Sequence, residues 1–157
     1  VLLVTASVRA DATAAAAWRA VIDWPGQARW IPLTMVRVRT GHATGLGVRV
    51  EAFSGLRVGP LRFGLLDRFV VAGWREPDAD GGPGEVEVLH LGPGFTGVGT
   101  IQVLSVPGGS IIAVTESFLP PGGAVVAPLV RPLLPLLRAG LSFSLRRLAR
   151  LLSRELA

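Results

Sequence analysis

The 157-residue chain has no cysteine, no lysine and no tyrosine, and only two histidines. Without cysteine there is no disulfide framework and no thiolate metal site. Without lysine, the net charge of +5 rests on arginine alone. A nucleic-acid binder concentrates its positive charge, whereas Arg9, Arg19, Arg29, Arg37, Arg39, Arg49 and Arg57 are spread at near-regular intervals. Only Arg146, Arg147, Arg150 and Arg154 cluster, near the end of a helical stretch where cations complement the helix dipole. Nucleic acid is therefore not an expected partner.

Long uncharged segments capable of spanning a bilayer are also scarce. Residues 88–115 carry no charged side chain other than a histidine, but glycines and prolines punctuate them into strands and turns. The apolar tail from Ala124 is cut by Arg131 and Arg138, so no uncharged run reaches the ~20 residues of a span. No transmembrane segment is expected. The opening alternates like a strand and not like a signal peptide, which fits a cytoplasmic protein. Half of the residues are hydrophobic and 17% are charged, the balance of one globular domain over residues 1–157.

The alternation is explicit. Leu2, Val4, Ala6 and Val8 share one face of a first strand. Asp11 or Thr13 can then cap a helix whose apolar side holds Ala17, Trp18 and Val21, with Pro25-Gly26 ending it and a further short helix at QARWIP. Strand patterns follow at MVRVRT, at GLGVRVEAF (interrupted at Ser54-Gly55), at LRFGLLDRFVVAGW, at GEVEVLHL, and in a hairpin around Pro107-Gly108-Gly109. The chain closes in a helix with Leu133, Leu137, Leu141, Leu145, Leu148 and Leu152 at 3.6-like spacing, its start disturbed by Pro128, Pro132 and Pro135. About seven strands, two short helices after the first, and one long C-terminal helix define an α+β architecture. It consists of a curved antiparallel sheet wrapped around that helix.

Parity places Asp67, His90 and Glu116 on the inward face of three different strands. A strand separates the last two, so sheet spacing holds their α-carbons roughly 10 Å apart. An isolated buried carboxylate is costly, so Glu116 needs a partner. Long side chains can narrow the gap directly or through water, so Glu116 and His90 or an arginine could satisfy one another structurally. Otherwise the polar cluster could orient a ligand or act in proton transfer, with Glu116 as general base and His90 as shuttle. A metal site would need three or four clustered ligands, and the wide spacing argues against one. Gly92, Gly94 and Gly97 match G-x-G-x-x-G, but a strand follows them and not a helix, so they read as turn glycines and not as a dinucleotide site. No cofactor is implied. His42, in TGHATG, reads as a solvated turn residue.

The element order together with ATAAAAWRAVIDWPGQARWIP, VVAGWREP and IIAVTESF resembles the START-like (SRPBCC) superfamily with its helix-grip fold, and within it the polyketide cyclase/dehydrase-type branch. That resemblance implies a deep apolar pocket between sheet and C-terminal helix for a lipid, a polyketide or another small hydrophobe. Some members catalyse cyclisation, aromatisation or hydrolysis there, and many only bind. The family's cyclases place dedicated acid-base groups in the pocket, of which this chain could offer few. On this basis the expected pocket wall combines Phe69, Val71, Val88, His90, Ile101 and Val103 with Val114, Glu116, Leu137 and Leu141. Asp67 joins the wall, and Trp30 stands at the entrance. The expected function is binding of a small hydrophobic molecule. The alternative is a cyclase, aromatase or dehydratase using Glu116 and His90. The arginine-leucine tail could also lie on anionic lipid, although its leucines are needed for the core. The sequence leaves open whether the chain forms a homodimer.

Overall fold

The computed structural model describes residues 1–155. Seven strands form one antiparallel sheet: β1 (Leu2–Ala10), β2 (Thr34–Val38), β3 (Arg49–Val58), β4 (Leu61–Arg75), β5 (Gly84–Pro93), β6 (Thr96–Val106) and β7 (Gly109–Leu119). Their spatial order is β1-β7-β6-β5-β4-β3-β2. Every neighbour except the β1–β7 pair is therefore joined by a sequential connection. The chain crosses from one sheet edge to the other only once, through α1 (Ala14–Ile22) and a 3₁₀ turn at Pro25–Arg29. Thr13 caps α1, its hydroxyl accepting from the Ala16 amide at 3.2 Å.

A helical segment follows the sheet: α2 (Gly123–Val130), a 3₁₀ turn at Arg131–Leu133, and α3 (Leu134–Glu155). By length and composition it is apolar enough to cross a membrane, but its C-terminal half is part of the core. Leu145, Leu148 and Leu152 are fully enclosed with Trp18 and Val21 of α1 and Val86, Val103 and Ile112 of the sheet. The curled sheet gripping one long helix is the helix-grip architecture that the residue pattern implies.

Two expectations need correction. β3 does not break at Ser54-Gly55 but runs on to Val58. Gly55 pairs with Gly64, and a Cβ on either would lie within 2.6 Å of the other's α-carbon, so the two glycines permit a backbone approach that side chains would forbid. The leucine stripe is also not a core stripe throughout: Leu133 and Leu137 are exposed, and burial begins only near Leu141.

Core cost should therefore divide along α3. Leu148→Ala should destabilise the protein by about 2–5 kcal/mol, because its cavity cannot collapse against the sheet. Val125→Ala, on α2, should stay within about 0.5 kcal/mol. Urea unfolding of the two variants checks the contrast.

Candidate functional site

Where α3 stands away from the sheet, a cavity of about 640 Å³ opens between them. Its wall is mainly apolar. Trp24 and Trp30 come from the first crossover, Phe69 and Val88 from the mid-sheet, Phe95 from the β5–β6 turn, and Leu137 and Leu141 from α3. Among the described residues, the only ionisable groups on it are Asp67, His90 and Glu116.

These three are joined. His90 Nδ1 lies 2.7 Å from Asp67 Oδ2, and Nε2 lies 3.0 Å from Glu116 Oε2. Asp67 and His90 sit on paired strands, where the register matches Phe69 with His90. Glu116 is two strands from His90, and the contact needs a gap in β6. Gly99 supplies it: paired with Glu116 on one side and Val88 on the other, it has no side chain to fill the space above β6. A Cβ there would lie 2.7 and 2.8 Å from the Glu116 carboxylate oxygens and 2.9 Å from His90 Nε2. The imidazole and carboxylate therefore meet directly over Gly99, despite the spacing of their strands.

Burial works against a charged imidazole and is the largest single influence on His90. The hydrogen bonds to Asp67 and Glu116, with the two negative charges, together outweigh it and raise the pKa from 6.5 to about 9. At neutral pH His90 is therefore an imidazolium donating through both ring nitrogens. Phe95 and Phe69 hold its ring at centroid distances of 4.7 and 5.7 Å, an aromatic surround that favours a cation. Asp67 and His90 are almost fully enclosed, whereas the Glu116 side chain keeps 27% of its surface exposed. Glu116 is thus the member of the network that faces the cavity most openly.

Of the residues expected on the wall, Trp30, Asp67, Phe69, Val88, His90, Ile101, Val114, Glu116, Leu137 and Leu141 line the cavity. Val71 and Val103 do not. They share the inward parity but lie farther along their strands, packed into the core. The sequence reading missed Phe95, because a turn has no alternation to read, and Trp24, which packs edge-on against Phe69 at 5.5 Å. It also missed Gly99, although the odd parity that turns Ile101 and Val103 inward passes through Gly99 as well. His42 is exposed as expected, its Nε2 3.1 Å from the Leu46 carbonyl.

A curled antiparallel sheet closed by one long helix over a mainly apolar cavity is the helix-grip fold. Residues 2–153 match the family described as polyketide cyclase / dehydrase and lipid transport, and the chain belongs to that family, within the START-like (SRPBCC) superfamily. Solved structures with the same fold include the protein TTHA0849 from Thermus thermophilus, at 15% identity and TM-score 0.72 over 99% of this chain and 100% of that one. The aromatase/cyclase ZhuI from Streptomyces sp. R1128 aligns at 15% identity and TM-score 0.68, covering 99% and 96%. The hypothetical protein jhp0584 from Helicobacter pylori aligns at 13% identity and TM-score 0.73, covering 95% and 86%. At these identities the likeness concerns the fold. No curated protein matches the chain.

Because the folded-state pKa of His90 lies above its unfolded value, the stabilisation it brings is complete below about pH 6.5. It is lost as pH rises through about 9, a change on the order of 3 kcal/mol at most. Urea midpoints measured from pH 6 to 10 should fall across that window, and those of His90→Phe should not. In Gly99→Ala the new methyl displaces the Glu116 carboxylate, the movable end of its side chain. An NMR titration should then place the His90 pKa well below 9.

Proposed function

We propose that the protein binds a small, mainly apolar molecule in this cavity and orients it through a hydrogen-bond donor placed against Glu116. The observation that carries the reading is the wall: mainly apolar, with one charged network whose accessible member is a carboxylate. The volume suits a compact hydrophobe. The network sums two carboxylates and one imidazolium, a net negative charge, and no arginine among the described residues lines the cavity. A carboxylate or phosphate head would meet repulsion there. A hydroxyl, phenol or amine would find an acceptor.

A second reading keeps the same site and adds chemistry. A carboxylate acceptor beside an imidazolium donor, in apolar surroundings, can remove one proton and supply another. The structurally similar aromatase/cyclase makes a cyclisation or aromatisation of a polyketide-like substrate the reaction class to test. In that reading Glu116 is the base, and His90, protonated at neutral pH, is the acid.

Native mass spectrometry of the purified protein, followed by denaturing extraction, tests for a co-purifying hydrophobe. A matched probe pair then tests orientation: an alkylphenol should bind at least tenfold more tightly than the alkyl carboxylate of equal length. Glu116→Gln should erase most of that preference while leaving uptake of a wholly apolar fluorophore intact. Equal affinity for the two probes would sink the proposed orientation. Turnover of a polyketide-like substrate that Glu116→Gln abolishes without loss of binding would favour the enzyme.

A further inference from the structure

The apolar surface around the cavity mouth is larger than the cavity requires. The hairpin formed by the end of β3 and the start of β4 projects past the core. The cross-strand pairs Leu56–Phe63 and Val58–Leu61 lie on the same side as the cavity-lining Leu65, and all five side chains are exposed, Phe63 by 60%. On the opposite face Arg57 stands directly across from Arg62, an unfavourable like-charge pairing; the carboxylate lining the same groove, Glu51, is already paired with Arg39 and Arg68.

The helical segment repeats this arrangement. Only 6% of the most apolar eighteen residues within Gly123–Glu155 is buried. Val125, Leu129, Leu133 and Leu136 recur at helical spacing, with Val125, Leu129 and Leu136 exposed by 87, 77 and 71%. Arg131 and Arg138 flank them, and no acidic residue occurs from Ser117 to Arg154 or from Ala52 to Leu66. Leu65 of the hairpin and Leu136 and Leu137 of α3 line the same cavity. The two uncovered faces therefore border a single opening.

We infer that this collar docks the protein on an anionic lipid bilayer, with the cavity mouth turned towards the membrane. Apolar side chains would enter the boundary between headgroups and acyl chains. The four arginines, whose long stems can lie along apolar surface, would reach outward to lipid phosphates. Charge selects this occupant. A second copy would bring arginine-bearing surfaces together with no acidic residue to meet them, whereas an anionic headgroup layer complements all four and relieves the Arg57–Arg62 pair. The docking face is not the arginine-rich end of α3, because Leu145, Leu148 and Leu152 there are committed to the core. The inference rests on the collar alone and holds whatever the cavity carries.

Co-sedimentation with vesicles tests it. The full chain should pellet with vesicles of mixed phosphatidylcholine and phosphatidylglycerol. It should bind pure phosphatidylcholine at least tenfold more weakly, and it should be released by raised salt. The double variant Phe63→Ser/Leu129→Ser should lose at least tenfold in binding to the mixed vesicles. Arg150→Gln/Arg154→Gln, at the far end of α3, should retain it. Circular dichroism establishes that the variants are folded, and both substituted pairs are surface residues. Failure of the full chain to pellet with anionic vesicles would overturn the inference. So would undiminished binding by Phe63→Ser/Leu129→Ser, or a dimer in light scattering that this variant converts to monomer. Equal affinity of the unsubstituted protein for the alkylphenol and the alkyl carboxylate would sink the proposed orientation and leave this result unaffected, so the two readings fail separately.

Discussion

The architecture depends on one unequal division: α3 is anchored along its C-terminal half and stands clear along its N-terminal half. Leu145, Leu148 and Leu152 fix the helix against α1 and the sheet. Beyond Leu141 towards the N-terminus, the same helical face meets a cavity or solvent instead of side chains. A helix buried along its whole length would have filled the concave surface of the sheet. Anchored at one end, it spans that surface and leaves space beneath, bounded by strands that are already rigid through their ladders.

Within that space the charged network follows from a second constraint, that buried charge must be paired. Asp67 on β4 and His90 on the adjacent β5 make one pair across neighbouring strands. Glu116 is separated from them by β6, and the absence of a side chain at Gly99 turns that separation into a contact. The network is therefore held by an omission as much as by its three members. The imidazolium receives a carboxylate at each nitrogen and lies against the rings of Phe69 and Phe95, and one carboxylate retains accessible surface. The same residues thus pair one another's charge and supply the polar part of the cavity wall.

Most of the fold was legible in the sequence because a period of two for half-buried strands and 3.6 for the last helix leaves strong traces. Parity alone brought Asp67, His90 and Glu116 to one face, and placed Phe69, Val88, Ile101 and Val114 with them. It could not distinguish cavity wall from solid core, because Val71 and Val103 obey the same alternation as their neighbours and differ only in how far along the strand they sit. Nor could it show that Leu133 and Leu137, in register with buried leucines, lie where the helix has left the sheet. Strand spacing left open whether His90 and Glu116 meet directly or through water, because it does not say which side chain occupies the strand between; Gly99 makes the contact direct. Phe95 and Trp24 reach the cavity from connections, where no periodic pattern exists.

The make-up of the cavity wall has a chemical consequence. Lacking cysteine and lysine, the chain presents no thiol to add to an activated double bond and no side-chain amine to condense with a carbonyl. The wall hydroxyls are engaged: Thr34 and Ser54 bond to each other at 2.8 Å, and Ser144 donates to the Gly140 carbonyl. An electrophilic guest, such as a chain of reactive ketones, would find shape and a hydrogen-bond acceptor but no amine or thiol to trap it. The charged groups of the wall are confined to two carboxylates and one imidazole, so covalent capture by a side-chain amine or a thiol is excluded from its chemistry.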